Sequence, residues 1–375
     1  MKIFRNEIKT ISFLCLFGFA LNIFSVEPLP YREFSPGVEY VNKCVTNVPW
    51  SIHVIKIDRN RSDLKLATTL AKETIFGLSS LIEQVNSVPP KVGAAVAGIN
   101  GDFYLISKKP YQGDPQGLQI IDGELVSAPS ENVCFWMEGS KPKIEKVDSR
   151  FKVVWPDGKK THIGLNQDRD DDEAVLLTPR LGESTRTTNG IELILERESG
   201  PWLPLRAGKV YSTRVRKICG TNTLLAPDIL ILSLGPKLQE RLPEIKTGME
   251  LKISTATSPN IGKANTAIGG GPALVQNGKT LTQTAGKERN PRTAFGWNDS
   301  YFFFVVVDGR RKDVSMGMSF AELAEEMAAL GCKEAMNLDG GGSATIWGDG
   351  RVLNQPSDNR NRSLANALVC VRKSK

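Results

Sequence analysis

The segment Asn337-Leu-Asp-Gly-Gly-Gly-Ser343 places one acidic residue directly before three glycines. Asp339 follows a short run that predicts a buried strand. The backbone amides of the glycines can approach a ligand without obstruction by side chains, which suits an anion or the oxygens of a sugar. The pattern makes Asp339 a candidate catalytic residue, with three candidate binding residues after it: Gly341, Gly342 and Ser343. The alternative is a tight turn in which Asp339 only caps the loop.

A second acid and several arginines accompany this loop. Tyr301-Phe-Phe-Phe-Val-Val-Val307 is wholly apolar and runs into Asp308, which is therefore the second candidate acid. Guanidinium groups match the geometry of phosphates and carboxylates in pairs. Six arginines near the glycine loops are candidates for binding an anionic substrate, in the pairs Arg289 and Arg292, Arg310 and Arg311, and Arg360 and Arg362. A single arginine of this kind is more often a surface charge or an ion-pair partner.

Two further segments could shape a binding cleft. Ile268-Gly-Gly-Gly-Pro272 supplies Gly270 and Gly271 without an acid, and a plain turn explains it equally well. The nearby Gly278-Lys279-Thr280 is no phosphate-binding P-loop, because Ala273 stands where that motif requires its leading glycine. Ile99-Asn-Gly-Asp-Phe-Tyr104 could direct Asn100 or Asp102 into a cleft, and a simple turn is again the alternative.

The chain has only two histidines, His53 and His162. This scarcity argues against Ser-His-Asp hydrolysis and against histidine-rich metal sites. Acid and base catalysis must then fall mostly on carboxylates. His53 lies on a predicted strand and is the better candidate of the two to reach a site.

The N-terminus has the pattern of an export signal. Residues 1–10 are basic and residues 11–24 are nearly all apolar, which predicts a signal peptide over residues 1–25 and export to the periplasm or the exterior. No stable membrane span would remain after cleavage. A buried helix or an uncleaved anchor is the alternative.

Composition excludes several protein classes. The 375 residues are 40% hydrophobic and 24% charged, as in ordinary globular proteins and unlike collagen, disordered chains or polytopic membrane proteins. The formal net charge of +7 is too weak to argue for nucleic-acid binding. Beyond the predicted signal, five widely spaced cysteines contain no Cys-x-x-Cys pair. Export would permit one or two disulfides, and buried free thiols are an equally good interpretation.

Several local patterns predict secondary structure. Trp50–Asp58 and Leu64–Leu70 alternate apolar residues and predict an opening hairpin. Ser80 with Glu83, and Ser319 with Glu322, are capping boxes that predict two helices, the second ending at Gly331. Four dipeptides favour tight turns in a strand-rich middle region: Asp122-Gly123, Asp157-Gly158, Asn189-Gly190 and Asn277-Gly278.

These elements indicate an α+β fold, with a mixed, strand-rich sheet and few packed helices. The helix that begins after Ser319 lies between two buried strands, as in a βαβ-like unit. We expect strands and a short helix over residues 26–90 and one catalytic domain over residues 91–375, with residues 130–260 as a β-rich elaboration within it. Three loosely similar glycine-containing segments suggest an internal duplication.

In order along the chain, several motifs resemble the phosphodiester glycosidase family over about residues 50–372. They are Ile99-Asn-Gly-Asp-Phe-Tyr, Ile268-Gly-Gly-Gly-Pro, Pro291-Arg-Thr-Ala-Phe-Gly, Val305-Val-Val-Asp-Gly-Arg, Ser319-Phe-Ala-Glu-Leu-Ala, Asn337-Leu-Asp-Gly-Gly-Gly-Ser and Arg362-Ser-Leu-Ala-Asn-Ala-Leu. The element around Asp339 is the most specific of them.

The resemblance implies hydrolysis of a sugar-1-phosphodiester, such as an N-acetylglucosamine-1-phosphodiester, at the glycosidic C–O bond in an exported glycan. Asp339 would activate water or attack the anomeric carbon, with Asp308 as second choice. Arg292, Arg310 and Arg362 would hold the phosphate, while Asn100, Gly270, Gly271 and Gly341 would shape the sugar pocket.

Two alternatives remain open at the level of the sequence. One is a metal-dependent phosphodiesterase that cleaves P–O, with Asp102, Asp308 and Asp339 as oxygen ligands. The other is a non-catalytic exported protein that binds glycans. No cofactor is required by the sequence, although a divalent cation that positions the phosphate is compatible with the glycosidase.

Overall fold

A computed structural model describes residues 30–106, 111–198, 200–281 and 287–374 of the protein. Strands make up 44% and helices 9% of the described residues, in several sheets, which confirms the expected strand-rich α+β character with few helices. The internal duplication and the domain boundaries stay predictions. The predicted signal peptide lies outside the described residues.

Sheet I has eight strands, and its neighbouring strands all pair antiparallel. In pairing order they are β1 (Arg32–Ser35), β2 (Val38–Val45), β3 (Trp50–Asp58), β24 (Tyr301–Val307), β23 (Arg292–Trp297), β25 (Glu334–Leu338), β21 (Ala273–Gln276) and β22 (Lys279–Thr280).

Sheet II has five antiparallel strands and packs on one face of sheet I. They are β27 (Arg351–Val352), β26 (Ile346–Gly348), β5 (Ala94–Asn100), β28 (Asn366–Arg372) and β4 (Leu64–Leu70). Helix α3 (Phe320–Ala329) packs on the other face of sheet I, and α1 (Leu81–Asn86) packs on the outer face of sheet II. The order of layers is therefore α3, sheet I, sheet II, α1.

The sequence of strand β24 is wholly apolar because the strand lies between two other layers. Phe302, Phe304 and Val306 enter the core between the two sheets. Phe303 and Val305 face α3 in a separate core. Both faces of the strand are covered, so no polar position remains along it.

The middle of the chain forms two more sheets. Sheet III contains β7 (Glu124–Ser127), β6 (Gln119–Ile121), β20 (Ala264–Gly269), β8 (Val133–Glu138) and β9 (Lys141–Lys146). Sheet IV contains β12 (Lys160–His162), β11 (Lys152–Val154), β18 (Glu250–Ser254), β16 (Val210–Cys219), β15 (Ile191–Arg197), β17 (Leu230–Leu234), β14 (Ala174–Leu177) and β13 (Gly164–Leu165). The short helix α2 (Pro236–Gln239) follows β17, and β10 (Asp148–Ser149) pairs with β19 (Thr257–Ser258).

Sheet IV curls around a hydrophobic core. Its two edge strands, β12 and β13, are separated in the chain by Ile163 alone, so the edges of the sheet adjoin. Buried residues from its strands, among them Leu193 and Ile253, share this core with Ile120 and Trp136 of sheet III. All eight strands lie between Lys152 and Ser254.

The locally encoded features are confirmed. Both capping boxes form, at Ser80 with Glu83 and at Ser319 with Glu322. Gly331 follows α3 with φ +81°, a conformation that favours glycine. Tight hairpins join β6 to β7, β11 to β12 and β21 to β22 at three of the four predicted dipeptides, whereas Asn189-Gly190 instead leads into β15.

The predicted opening hairpin is wrong, although both of its strands exist. Strand β3 pairs with β2 and β24 in sheet I, whereas β4 pairs with β28 in sheet II. The polar turn between β3 and β4 therefore carries the chain from one layer to the next. In the predicted βαβ-like unit, β23 lies between β24 and β25 and is antiparallel to both.

Candidate functional site

Asp339 lies at the end of β25, where sheets I and II meet. Its backbone amide donates to the carbonyl of Gly101, and its carbonyl accepts from the side-chain amide of Asn100 at 2.6 Å. Its carboxylate accepts from the amide of Gly340 at 2.9 Å. The end of β5 in sheet II therefore fixes the position of this acid.

The glycines after Asp339 allow two arginines to approach. A Cβ atom on Gly341, which has φ +58°, would lie 3.0 Å from Nη2 of Arg310. A Cβ atom on Gly342 would lie 2.2 Å from Nη2 of Arg362. Both guanidinium groups therefore pack directly on the backbone of the glycine loop. A side chain at Gly341 or Gly342 would occupy the space that these groups fill.

The two arginines differ in how firmly they are held. Arg362 donates through Nε and Nη2 to Asp358, at 3.0 and 2.6 Å. Arg310 makes one long contact, 3.4 Å, with Asn290 and so keeps most of its donors available. The site therefore offers one anchored and one freer guanidinium.

Burial raises the pKa of the Asp339 carboxyl. The Ser343 hydroxyl, the Gly340 amide and the charge of Arg362 oppose that rise. The result is a poorly hydrated carboxylate next to positive charge, and such an environment favours a nucleophile or a base.

Asp102 is a second acid beside Asp339, whose role the sequence left open. Its side chain is 4% exposed, and its Oδ1 atom accepts from the Phe103 amide at 2.8 Å. Its Oδ2 atom has no hydrogen-bond partner of good geometry and lies against the backbone of Gly117 and Gly269. Burial, with a further contribution from Asp339, raises the pKa of Asp102 to about 7.

Six buried side-chain polar atoms of the described residues lack a hydrogen-bond partner. They are Asp102 Oδ2, Arg311 Nη1, Asn337 Oδ1, Ser343 Oγ, Thr345 Oγ1 and Ser357 Oγ. Three of these atoms belong to residues 337–345, the segment that carries Asp339. Asp102 follows Gly101, whose carbonyl accepts from the Asp339 amide, and Arg311 donates to the carbonyl of the residue before Ser357. Buried polar groups are normally paired, so this concentration marks a place for water or a polar ligand.

Asp308 and Asp339 lie at the same end of the strands of sheet I, and strand β23 separates the strands that they follow. Two strand spacings correspond to roughly 10 Å. The carboxylate of Asp308 accepts from Asn354 Nδ2 and the Gln355 amide, both at 3.1 Å, and lies 3.1 Å from His53 Nε2. Asp308 is thus enclosed by partners and holds His53 and the 354–355 segment in place.

The hydroxyl of Tyr40 extends this network to Nδ1 of His53, at 2.8 Å. Burial, and then the charge of Asp308, raises the pKa of Tyr40 to about 12. His53 is therefore buried against a candidate acid, whereas His162 lies on the exposed edge strand β12.

Asn100, Gly270 and Gly271 lie around the site and contact its supporting segments rather than one another. The Oδ1 atom of Asn100 accepts from the Thr293 hydroxyl and the Thr345 amide, so its side chain is fully used. The backbone of Gly270 packs on β25, and Gly271 exchanges hydrogen bonds with Asn337.

Arg292 is committed to the backbone beside the site. It donates to the carbonyls of Met318 and Glu288 at 2.9 and 3.1 Å, and its guanidinium carbon lies 3.9 Å from the ring centroid of Phe320. The structure thus brings together Asp339, Arg310, Arg362 and the glycine loop, and places Asp308 and Arg292 in supporting contacts.

Residues 206–371 match the phosphodiester glycosidase family. The match confirms the resemblance seen in the motifs. The phosphodiester glycosidase match contains the segments of Asp308, Asp339 and the candidate arginines, whereas Asn100 and Asp102 precede it. No curated protein matches the sequence.

Solved structures show the same fold at low sequence identity. A hypothetical protein from Synechocystis is 16% identical with a TM-score of 0.73, and the alignment covers 92% of this chain and 64% of that protein. This chain therefore spans less than two thirds of its length. A protein of Burkholderia pseudomallei K96243 described as exported is 19% identical with a TM-score of 0.64, covering 86% and 74% of the two chains.

The catalytic domain of zebrafish N-acetylglucosamine-1-phosphodiester alpha-N-acetylglucosaminidase, auto-inhibited by its pro-peptide, also matches. It is 14% identical with a TM-score of 0.46, over 89% of this chain and 83% of that domain.

None of the helices in the described ranges is long and apolar enough to cross a membrane. Within the same ranges, no group of three or more histidine, cysteine or acidic residues is arranged to hold a metal ion. The three acids of the metal-dependent alternative therefore do not form one ligand cluster.

Proposed function

We propose that the protein hydrolyses the glycosidic C–O bond of a sugar-1-phosphodiester. The observation that carries the proposal is the packing of Arg310 and Arg362 on the glycine loop directly after the half-buried acid Asp339. The family match over residues 206–371 supports the same reaction class.

The chemistry requires charge stabilisation more than protonation. When the bond from the anomeric carbon to oxygen breaks, the electron pair leaves with the phosphate oxygen, and water supplies the oxygen of the free sugar. A phosphomonoester is a weak base, so arginines that bind its developing charge lower the barrier. Arg310 and Arg362 provide that charge, and the Ser343 hydroxyl lies beside the Asp339 carboxyl.

Asp339 serves the anomeric carbon in this proposal, as nucleophile or as the base that activates water. The transition state resembles an oxocarbenium ion, which a nearby carboxylate stabilises. Asp308 positions the 354–355 segment through its hydrogen bonds and does not react. Arg292 holds the segment before β23 through the carbonyls that it binds, and Asn100 orients Asp339.

The natural substrate of the proposal is a phosphate-containing glycan outside the cytoplasm. The support is the signal-like sequence of residues 1–25 together with the family match. An N-acetylglucosamine-1-phosphodiester is the first substrate to test, with and without chelator.

The test separates the reaction from its alternatives by the products. Free sugar and a phosphomonoester of the aglycone are expected, and Asp339→Asn should lower turnover by about 10³-fold. Asp299→Asn, an exposed acid at the opposite end of β23 and β24, is the matched control. Sugar-1-phosphate with free aglycone would mean P–O cleavage and would overturn the proposal, as would full activity in a folded Asp339→Asn variant. Binding without turnover of any diester would favour a glycan-binding protein.

A further inference from the structure

The segment 100–104 at the end of β5 contacts both sides of the candidate site. Through its first two residues it makes hydrogen bonds of 2.6 and 3.0 Å with the backbone of Asp339. At its other end, the hydroxyl of Tyr104 donates to the carbonyl of Ser363 at 2.8 Å. Ser363 directly follows Arg362 in the chain. One short segment therefore connects the candidate acid with one of the two arginines that pack on the glycine loop.

Arg362 lies in a stretch of irregular backbone, residues 353–365, between β27 and β28. No repeated backbone hydrogen bonding fixes such a stretch, so individual contacts decide where its residues lie. Asp358, in the same stretch, accepts from two of the five N–H groups of the guanidinium, which leaves the others for an anion. Leu364 pairs with a residue ahead of α1. The contact with Tyr104 is the one that ties this stretch to the segment that holds the candidate acid.

Tyr104 is suited to holding a backbone group rather than to reacting. It is 6% exposed. Burial, and then the charge of Asp339, raises the pKa of Tyr104, so its hydroxyl keeps its proton at neutral pH. The hydroxyl donates that single proton to Ser363, so none remains for a leaving group. The charge of Arg362 lowers the pKa of the same group, so the hydroxyl lies near both charges of the site.

Tyr104 also contacts the glycine loop. The Ser343 hydroxyl lies beside both Tyr104 and Asp339. It is fully buried and forms no hydrogen bond of good geometry with the described residues. Because the proton of Tyr104 is already donated, the oxygen of Tyr104 can accept from Ser343. Ser343 directly follows Gly342, on whose backbone Arg362 packs. The tyrosine hydroxyl is therefore next to both segments that meet at this guanidinium.

We propose that Tyr104 is a positioning residue: through the Ser363 carbonyl and the glycine loop, it holds Arg362 beside Asp339, where the guanidinium meets a bound phosphoryl group. The inference rests on the proposed function, because that reaction supplies the phosphoryl group. An arginine that is already in place when the substrate arrives stabilises the charge that develops on the phosphate without first having to reorganise.

A double-mutant cycle tests whether Tyr104 acts through Arg362. Tyr104→Phe should lower kcat/KM for an N-acetylglucosamine-1-phosphodiester by about tenfold, because a misplaced arginine binds the transition state less well. In an Arg362→Ala background, the same change should lower kcat/KM by less than about twofold, since the group that it positions is gone. Tyr111→Phe is the matched control and should leave kcat/KM unchanged. Tyr111 is 2% exposed, and its hydroxyl donates to the carbonyl of Thr185 at 2.9 Å.

Binding of inorganic phosphate separates this inference from the proposed reaction. Titration calorimetry should show binding by the wild type that is about fivefold weaker in Tyr104→Phe and unchanged in Tyr111→Phe. This result without hydrolysis of any diester would support the inference and contradict the proposed function. Equal losses of kcat/KM in the two backgrounds, or equal phosphate binding by wild type and Tyr104→Phe, would overturn the inference even if the diester is hydrolysed. The absence of phosphate binding by the wild type would also overturn it.

Discussion

Asp102 is a carboxyl group that the fold removes from water without giving its Oδ2 atom a partner. An unpaired buried polar atom costs free energy that a structure retains mainly where it serves a site. The nearby charge of Asp339 adds to that cost when both groups are ionised. At neutral pH Asp102 therefore remains partly protonated. Asp339 can then ionise beside the arginines without a second full negative charge next to it.

The raised pKa of Asp102 predicts a pH-dependent stability. Unfolded Asp102 releases its proton near pH 4, whereas folded Asp102 does so near pH 7. The folded state binds more protons between these values, so its contribution to stability is full below pH 4 and is lost as pH rises to about 7. Asp102→Asn has no carboxyl group that titrates at this position. As pH rises through this window, the free energy of unfolding of the variant should therefore increase relative to that of the wild type, by an amount on the order of a few kcal/mol.

Thermal or urea unfolding of both proteins from pH 4 to pH 8 measures this difference. The amide introduces its own constant change in packing, so the slope against pH is the informative quantity. A wild-type minus variant difference that stays flat across the window would show that Asp102 titrates normally.

Sequence patterns indicated candidate residues for the site but could not give the contacts that each of them makes. Asp339 could be found because one local segment contains an acid and three glycines. The burial of Asp102 depends on Gly117 and Gly269, which are distant in sequence, so it could not be derived from its own motif. Arg292 and Arg310 look alike in sequence, and only the carbonyls of Met318 and Glu288 distinguish them.

At the level of elements, the predictions were correct where the deciding interactions are local in sequence and wrong where they join distant segments. Both capped helices were predicted correctly, because each capping box lies within four residues of chain. The pairing of β3 and β4 was predicted wrongly, because β3 pairs with the preceding β2 and with β24, about 250 residues further along, whereas β4 pairs with β28, about 300 residues further along. A short polar turn is compatible with a hairpin and with a change of layer, and only the distant strands decide between them.

Asp308 links three of these elements, and this predicts a structural effect for its loss. Its carboxylate connects the end of β24 to His53 on β3 and to the 354–355 segment. Asp308→Asn should lower the free energy of unfolding by about 2 kcal/mol, because hydrogen bonds to a buried charge are weakened or lost. Its effect on turnover should be smaller than that of Asp339→Asn.

Urea unfolding and steady-state kinetics on the same preparations test this. Asp313→Asn changes an exposed acid on the neighbouring loop and should leave stability within about 0.5 kcal/mol of wild type. Intact stability with abolished turnover in Asp308→Asn would instead place Asp308 in the chemistry.

Across the described residues, the candidate site and most of the middle strands belong to different cores. The α3, sheet I, sheet II, α1 layers carry Asp339 and its arginines. Sheets III and IV share a second core, in which Trp136 of β8 packs with residues of sheet IV. The layered part thus supplies the groups of the candidate site.

The stability of these cores rests on packing rather than on disulfides, and this gives a prediction for the whole chain. The described cysteines are free thiols: Cys44, Cys134, Cys219, Cys332 and Cys370. Burial raises the pKa of Cys332 and Cys370 to about 12 and raises that of Cys134 as well, so none of these three forms much thiolate at neutral pH.

In the native protein, iodoacetamide should therefore modify exposed Cys44 first and leave the three buried thiols unmodified. In denaturant without reductant, all five should react, as mass spectrometry of peptides would show, and reductant should not shift the unfolding midpoint. The thiolate is the reactive form, so both protection and release follow from burial. A pair of these cysteines that reacts only after reduction would establish a disulfide and a different account of how the cores are held.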